Sequence, residues 1–207
     1  MSTTLQLTTD LFIAKGSHKQ CFRHPQNNRL CIKVPYNAPG QTDLNREIYY
    51  LTHILKQRGE QSGVLPRYYG PVKTNLGVGH VFDLICDTDG KISPNIEQIL
   101  TDPALTTQQL QAIHQHLFVL RDHILQYRLI CMSMYPENIL YQQLDADTFR
   151  LMLINDMGSS SSFPFEYYLP FLAKTKIKRY WNRFIQNSLP KRLPAPIAQQ
   201  LADLVFK

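Results

Sequence analysis

The hydrophobic patterning of this chain shifts from mainly strand-like to mainly helical at the polar turn Asp87-Thr-Asp-Gly90, and that shift limits the folds open to it. Before the turn, short runs rich in strand-favouring residues alternate with turn residues: 5–13, Cys21-Phe-Arg23, Leu30-Cys-Ile-Lys-Val34, Arg67–Val72 and Val78–Cys86. These predict an antiparallel sheet of five strands. After the third run, a loop at Pro35–Gly40 leads into Asp43–Arg58, where Leu44, Ile48, Leu51 and Leu55 recur at helical spacing. Beyond the turn, Leu110, Ile113, Leu117, Leu120 and Ile124 space by threes and fours within Thr106–Tyr127, with Thr106 or Thr107 as N-cap. Further helices are expected over Glu166–Arg183 and Ala195–Phe206. The expected class is α+β: a sheet-bearing lobe over 1–87, a mainly helical lobe over 88–207, and one domain in all.

Composition narrows the function classes. A chain of 207 residues with 43% apolar content can bury a substantial core. Its apolar runs fall short of a bilayer span, and the N-terminus has no basic start followed by an apolar stretch, so a cytoplasmic location is expected. The four cysteines, Cys21, Cys31, Cys86 and Cys131, lack metal-ligand spacing and read as reduced, buried thiols. His114 and His116, two apart on a helix, face different sides and do not make a metal pair. The formal charge of +6 is concentrated: of 22 lysines and arginines, seven lie between Lys174 and Arg192 without an acid, leaving 15 against 16 acids elsewhere. That segment carries Tyr180 and Trp181 and reads as a surface for nucleic acid or an anionic membrane, or as a solvated amphipathic helix with Trp181 and Phe184 docked inward.

Candidate chemistry gathers around Cys131-Met-Ser-Met-Tyr-Pro-Glu-Asn138-Ile-Leu-Tyr and the following Asn-Asp156-Met-Gly158. Two short apolar runs, Ile139–Tyr141 and Leu151–Ile154, predict a hairpin looping near Leu144–Thr148. The hairpin would aim Asn138 and Asp156 into one cleft, two oxygen ligands suited to magnesium. Lys33 lies among apolar neighbours on a strand, and Glu47 falls on the following helix. Alone, that pair also fits a surface strand beside a solvated helix face. Gly16, in Gly16-Ser-His-Lys-Gln-Cys-Phe22, could let backbone amides approach a phosphate, although a lone hairpin glycine usually serves its turn.

In chain order these features resemble the protein-kinase signature of glycine loop, strand lysine, helix glutamate, H-R-D-L-x-x-x-N and D-F-G. Cys31-Ile-Lys33 matches the lysine motif, Tyr135-Pro-Glu-Asn138-Ile-Leu140 the end of the catalytic loop, and Asp156-Met-Gly158 the D-F-G. More narrowly, Gly16–Phe22, His24-Pro, Cys31-Ile-Lys33, Pro66-Arg-Tyr-Tyr-Gly70, Met132-Ser133 and Pro136-x-Asn138-Ile-Leu resemble the YrbL family of small bacterial proteins, over about residues 10–187. That family is associated by name with the PhoP regulatory network. The resemblance implies a protein-kinase-like two-lobed fold. It also implies ATP bound through Gly16, Lys33 and Glu47, with magnesium on Asn138 and Asp156.

Departures from the kinase pattern fall on phosphoryl transfer. Ser133 stands where the catalytic-loop aspartate is expected, and loss of such a base typically costs ~10²–10⁴-fold in rate. Tyr135 replaces the usual lysine, Cys131-Met132 the His-Arg, Ala14 the first loop glycine and Gln20 the third. The 49 residues after Gly158 contain no Ala-Pro-Glu, so the C-terminal lobe is expected to be reduced. The leading expectation is a regulatory pseudokinase that binds ATP with a divalent metal and has a regulatory protein as partner. The alternatives are an active atypical kinase, helped by Ser133 with a water or by Glu137, and a non-catalytic interaction module using residues 174–192. The loop Ser159–Ser162 is expected to be solvated, with phosphorylation as the sharper alternative.

Overall fold

A computed structural model describes residues 4–58, 63–146 and 148–206. Five antiparallel strands, β1 (Phe12–Lys15), β2 (Lys19–His24), β3 (Asn27–Pro35), β4 (Tyr68–Thr74) and β5 (Gly77–Asp83), form a sheet in the order β1-β2-β3-β5-β4. Alternation divides its faces. Phe22, Ile32, Val34 and Val81 pack on one side, where Leu5 and Leu7 cover them. Cys31 and Phe82 face the other, against Leu44 of the helix α1 (Ala38–Tyr49).

Residues 5–13 are therefore not one strand. Leu5 pairs along the end of β4 through Leu5 N–H to the Lys73 carbonyl (2.9 Å), and only Phe12–Lys15 join the sheet edge. The alternating leucines are buried as a cover over the sheet. Helix α1 also begins five residues before the expected Asp43. Asn37 caps it by accepting from Gly40 N–H at 2.8 Å, and Pro39 is compatible with a first helical turn. Near Tyr50 the helix widens into a π-helical stretch, Tyr50–Leu55, whose Tyr50, Ile54 and Leu55 enter the core of the other half.

That second core is built on α3 (Thr107–Gln126), whose buried face is the predicted Leu110, Ile113, Leu117, Leu120 and Ile124. A capping box of Thr106 and Gln109 starts it. The shorter α2 (Ile96–Leu100), not anticipated from the sequence, has its own capping box in Asn95 and Gln98 and buries Ile96 and Leu100. The predicted hairpin is present as β6 (Ile139–Gln143) and β7 (Phe149–Leu153). Helix α4 (Pro170–Arg183) starts at its proline rather than at Glu166, and the last helix breaks into α5 (Ala195–Gln200) and a 3₁₀ turn at Ala202–Leu204. Trp181 and Phe184 are buried and pack on each other, so both dock inward.

Candidate functional site

The site lies between the sheet and the β6–β7 hairpin. Lys33 on β3 is nearly closed to water, and its Nζ donates to Glu47 Oε1 on α1 at 2.9 Å while lying 4.2 Å from the centre of the Phe82 ring. Burial works against both charges. The pairing outweighs it: the ammonium is held above its ordinary pKa, and Glu47 lies below the usual carboxylate range. The sequence-level alternative of a solvated helix face therefore does not apply to Glu47, which is 1% exposed.

Asn138 and Asp156 do converge. Asn138 Nδ2 is 3.4 Å from Asp156 Oδ2, and the Asn138 side-chain oxygen Oδ1 accepts from Asn155 Nδ2 at 3.2 Å. Asn155 and Asp156 both adopt left-handed backbone, φ 62° and 53°, the region that asparagine and aspartate tolerate best among side-chain-bearing residues. Three backbone bonds clamp the segment: Met132 N–H to Asp156 O (2.6 Å), Ile154 N–H to Asn138 O (2.9 Å) and Gly158 N–H to Ile130 O (2.7 Å). Ser133 Oγ donates to Asp156 Oδ2 at 2.5 Å. The serine at the usual aspartate position thus orients the second acid.

Gly16 lines a cavity of about 340 Å³ shared with Lys19, Lys33, Asn138 and Asp156. Its amide is already engaged in the turn, donating to the Lys19 carbonyl at 2.9 Å, so Gly16 serves the loop's shape. Tyr36 and Asn37 brace this loop, through Tyr36 Oη to the Gly16 carbonyl (2.8 Å) and Asn37 Nδ2 against His18 Nδ1 (3.1 Å).

Sequence reasoning missed Lys19. Counted from Ala14 and Gly16 as first and second positions, G-x-G-x-x-G places its third glycine at Lys19 and not at Gln20. Strand pairing sets Cys21 opposite Lys33, and the period of two turns Lys19 to the same face. Its Nζ is 3.5 Å from Glu47 Oε2 and 3.6 Å from Asp156 Oδ1, tying the sheet to the hairpin. The pattern count was a usable signal; the charge contacts were not visible in the sequence.

Other expected groups are accounted for structurally. Glu137 lines the same cavity and pairs with Arg192 at 3.2 Å. Ser159 is buried, donating to Glu166 at 2.5 Å and accepting from Lys176 Nζ at 2.6 Å, so the serine loop is not uniformly solvated. Lys176 pairs with Glu166 at 2.5 Å inside the protein and leaves the proposed basic surface. His114 bonds Asp203 and His116 packs on Phe149. All four cysteines are free, with Cys31 and Cys131 buried and Cys21 and Cys86 half-buried. Burial pushes the Cys131 thiol up to about 12.

The magnesium expectation meets a donor set already satisfied. Asp156 has one oxygen beside Lys19 and the other bonded by Ser133, while Asn138 turns its amide nitrogen, not its oxygen, towards the acid. Among the described residues no group of three or more His, Cys, Asp or Glu is placed to hold a metal. In this arrangement the residues do not fit a bare divalent ion.

A five-stranded antiparallel sheet carrying a lysine–glutamate pair, with Asn138 and Asp156 flanking a hairpin, gives a protein-kinase-like fold. The crystal structure of the PF14_0431 kinase domain aligns with a TM-score of 0.55 at 13% identity, covering 85% of this chain and 63% of that domain. This chain therefore spans less than two thirds of that kinase domain's length. It belongs to the YrbL family: the family model described as PhoP regulatory network protein YrbL matches residues 5–189. The YrbL proteins of Escherichia coli (strain K12) and Shigella flexneri are each 28% identical over 183 residues, 87% of this chain and 86% of theirs. Among the described residues, no helix is long and apolar enough to cross a membrane.

Proposed function

We propose that this chain binds a nucleoside triphosphate in the cleft below its glycine loop and acts as a regulatory pseudokinase. The observation that carries this is the buried Lys33–Glu47 pair, which holds an ammonium at the wall of the cavity. In kinases the same pair must be in place for the lysine to meet phosphate. Gly16 shapes the loop, Glu47 orients Lys33, and Asp156 and Asn138 form the opposite wall. The transfer half is unsuited to its task, because Ser133 donates a hydrogen bond to Asp156 and is no carboxylate base. Calorimetry and thermal shift with ATP, with and without magnesium, test the reading. Binding by the wild-type chain and its loss in Lys33→Ala support it; no binding, or binding unchanged in Lys33→Ala, overturns it. Phosphate transfer from radiolabelled ATP that vanishes in Asp156→Ala would favour the active-kinase alternative.

A second reading, the interaction module, rests on a different observation. Phe163, Phe165, Tyr168 and Phe171 are 61–77% exposed, beside the exposed Lys174, Lys178 and Arg179 of α4. Exposed aromatics next to cations suit an anionic membrane surface. Flotation with phosphatidylglycerol vesicles should then weaken with salt and disappear in Lys178→Glu/Arg179→Glu, whereas Lys33→Ala should float like wild type. Equal flotation of the charge-reversed variant would remove this reading.

A further inference from the structure

The charges around Asp156 balance without a metal. Lys19 and Lys33 supply two positive charges, Glu47 and Asp156 two negative, all within one connected set of contacts at 2.9–3.6 Å. Lys19 Nζ is buried yet has no hydrogen-bond partner of proper geometry, and the same is true of Glu47 Oε2. The ammonium is thus held between two acids by charge, with its N–H donors unassigned. A buried donor in that state is costly unless something completes it. Lys19 also lines the adjoining cavity, together with Lys33, Asn138 and Asp156.

We infer that Lys19 takes the place of a divalent cation, so that this cleft binds the polyphosphate of a nucleotide without metal. The inference rests on the proposed nucleotide reading for its ligand and on Lys19's position for its content. A magnesium ion on Asp156 would sit about 2.0–2.1 Å from a carboxylate oxygen. Lys19 Nζ already stands 3.6 Å from Oδ1, so the ion would face an unscreened like charge. Ser133 and the Asn138 amide nitrogen fill the other oxygen, and an ion would have to turn Asn138 over and break its bond from Asn155. A polyphosphate oxygen needs none of those changes. It would meet two ammonium groups, Lys19 and Lys33, and give the idle donors of Lys19 an acceptor. The loop cannot readily withdraw Lys19, because Gly40 leaves no room behind it: a Cβ there would stand 2.2 Å from the His18 carbonyl oxygen.

The test measures ATP binding to the full chain by calorimetry in EDTA and in magnesium, for wild type, Lys19→Ala and Lys19→Gln. Wild-type affinity is expected to be the same in both buffers. Both variants should lose about 10- to 100-fold in EDTA, the contribution of hydrogen bonds to a charged group, and recover part of it with magnesium. Wild-type binding that requires magnesium overturns the inference, as do variants that bind in EDTA as wild type does. A second arm needs no nucleotide: manganese(II) binding followed by electron paramagnetic resonance. Wild type should take up no manganese at this site. Lys19→Ala should gain one site, lost again on adding Asp156→Asn. Manganese bound by wild type and released by Asp156→Asn, or no site gained by Lys19→Ala, overturns the inference. Absence of ATP binding in every buffer would remove the nucleotide reading alone, and the manganese arm would then decide the role of Lys19. Melting curves of the variants verify that they fold.

Discussion

Glu47 is the residue on which two cations depend. Lys33 bonds one of its oxygens and Lys19 lies beside the other, all three nearly out of water. Removing the shared acid by Glu47→Ala leaves two buried ammoniums side by side, and should destabilise the fold by about 3–5 kcal/mol in urea titration. The pH dependence has a definite sign. Burial alone would raise the Glu47 carboxyl, but Lys33 and Lys19 outweigh it and hold its folded pKa below the unfolded value. Glu166 is likewise lowered, against burial, by Lys176 and Ser159. For such groups the unfolded state binds more protons in the acid range. Their stabilisation is therefore full above the ordinary glutamate value of about 4.3 and is lost as pH falls through their lowered values. The melting temperature of wild type should drop below that pH, and Glu47→Gln should show a shallower drop. Lys33, Glu47, Asn138 and Asp156 were all legible from motif order. Lys19 was legible only as a loop position by pattern count, because its charge contacts with Glu47 and Asp156 leave no mark in the sequence.

At the scale of elements, α1 is held by its far end. Tyr50 Oη accepts from Ile130 N–H at 2.9 Å and donates to the Arg128 carbonyl at 3.0 Å, so the helix bearing Glu47 is pinned to the segment leading into Ser133. Tyr50→Phe leaves a buried amide without its partner and should cost about 1–3 kcal/mol of stability, read from chemical unfolding. At the other end of α1, Gly40 lies under the glycine loop. Gly40→Ala would drive a methyl group into the His18 carbonyl, and should lower both stability and ATP affinity. Loss of stability with unchanged affinity would mean that the loop position does not matter to the ligand. These contacts, and not the local spacing, set the helix boundaries: the start by Asn37 and Gly40, and the wide turn at Tyr50–Leu55 by packing against a distant core.

For the whole molecule, the two halves share more than a linker. Tyr50, Ile54 and Leu55 come from the sheet-bearing half but lie in the core built on α3 and α4. Arg58 adds bonds to the carbonyls of Arg128 and Tyr167, at 3.3 and 2.5 Å. Unfolding should therefore be one cooperative event. Fluorescence of Trp181, buried in the helical half, and far-ultraviolet circular dichroism should trace the same transition in urea. Separate midpoints would show that the halves unfold independently.

The sequence by itself determined most of the sheet strands, the hairpin and the buried face of α3, because period-two and period-3.6 patterning are local properties. It also determined the order of the motif residues, and with it the kinase-like class and the missing carboxylate at Ser133. Only the tertiary structure decided what those residues do to one another. Whether Ser133 is a weak base or a clamp on Asp156, whether Lys176 is a surface charge or a buried partner of Glu166, and whether Asp156 awaits a metal or already faces Lys19, all depend on contacts between residues 10 to 137 positions apart. Such contacts are set by strand register and helix packing, and an electrostatic partner leaves no periodic trace along the chain.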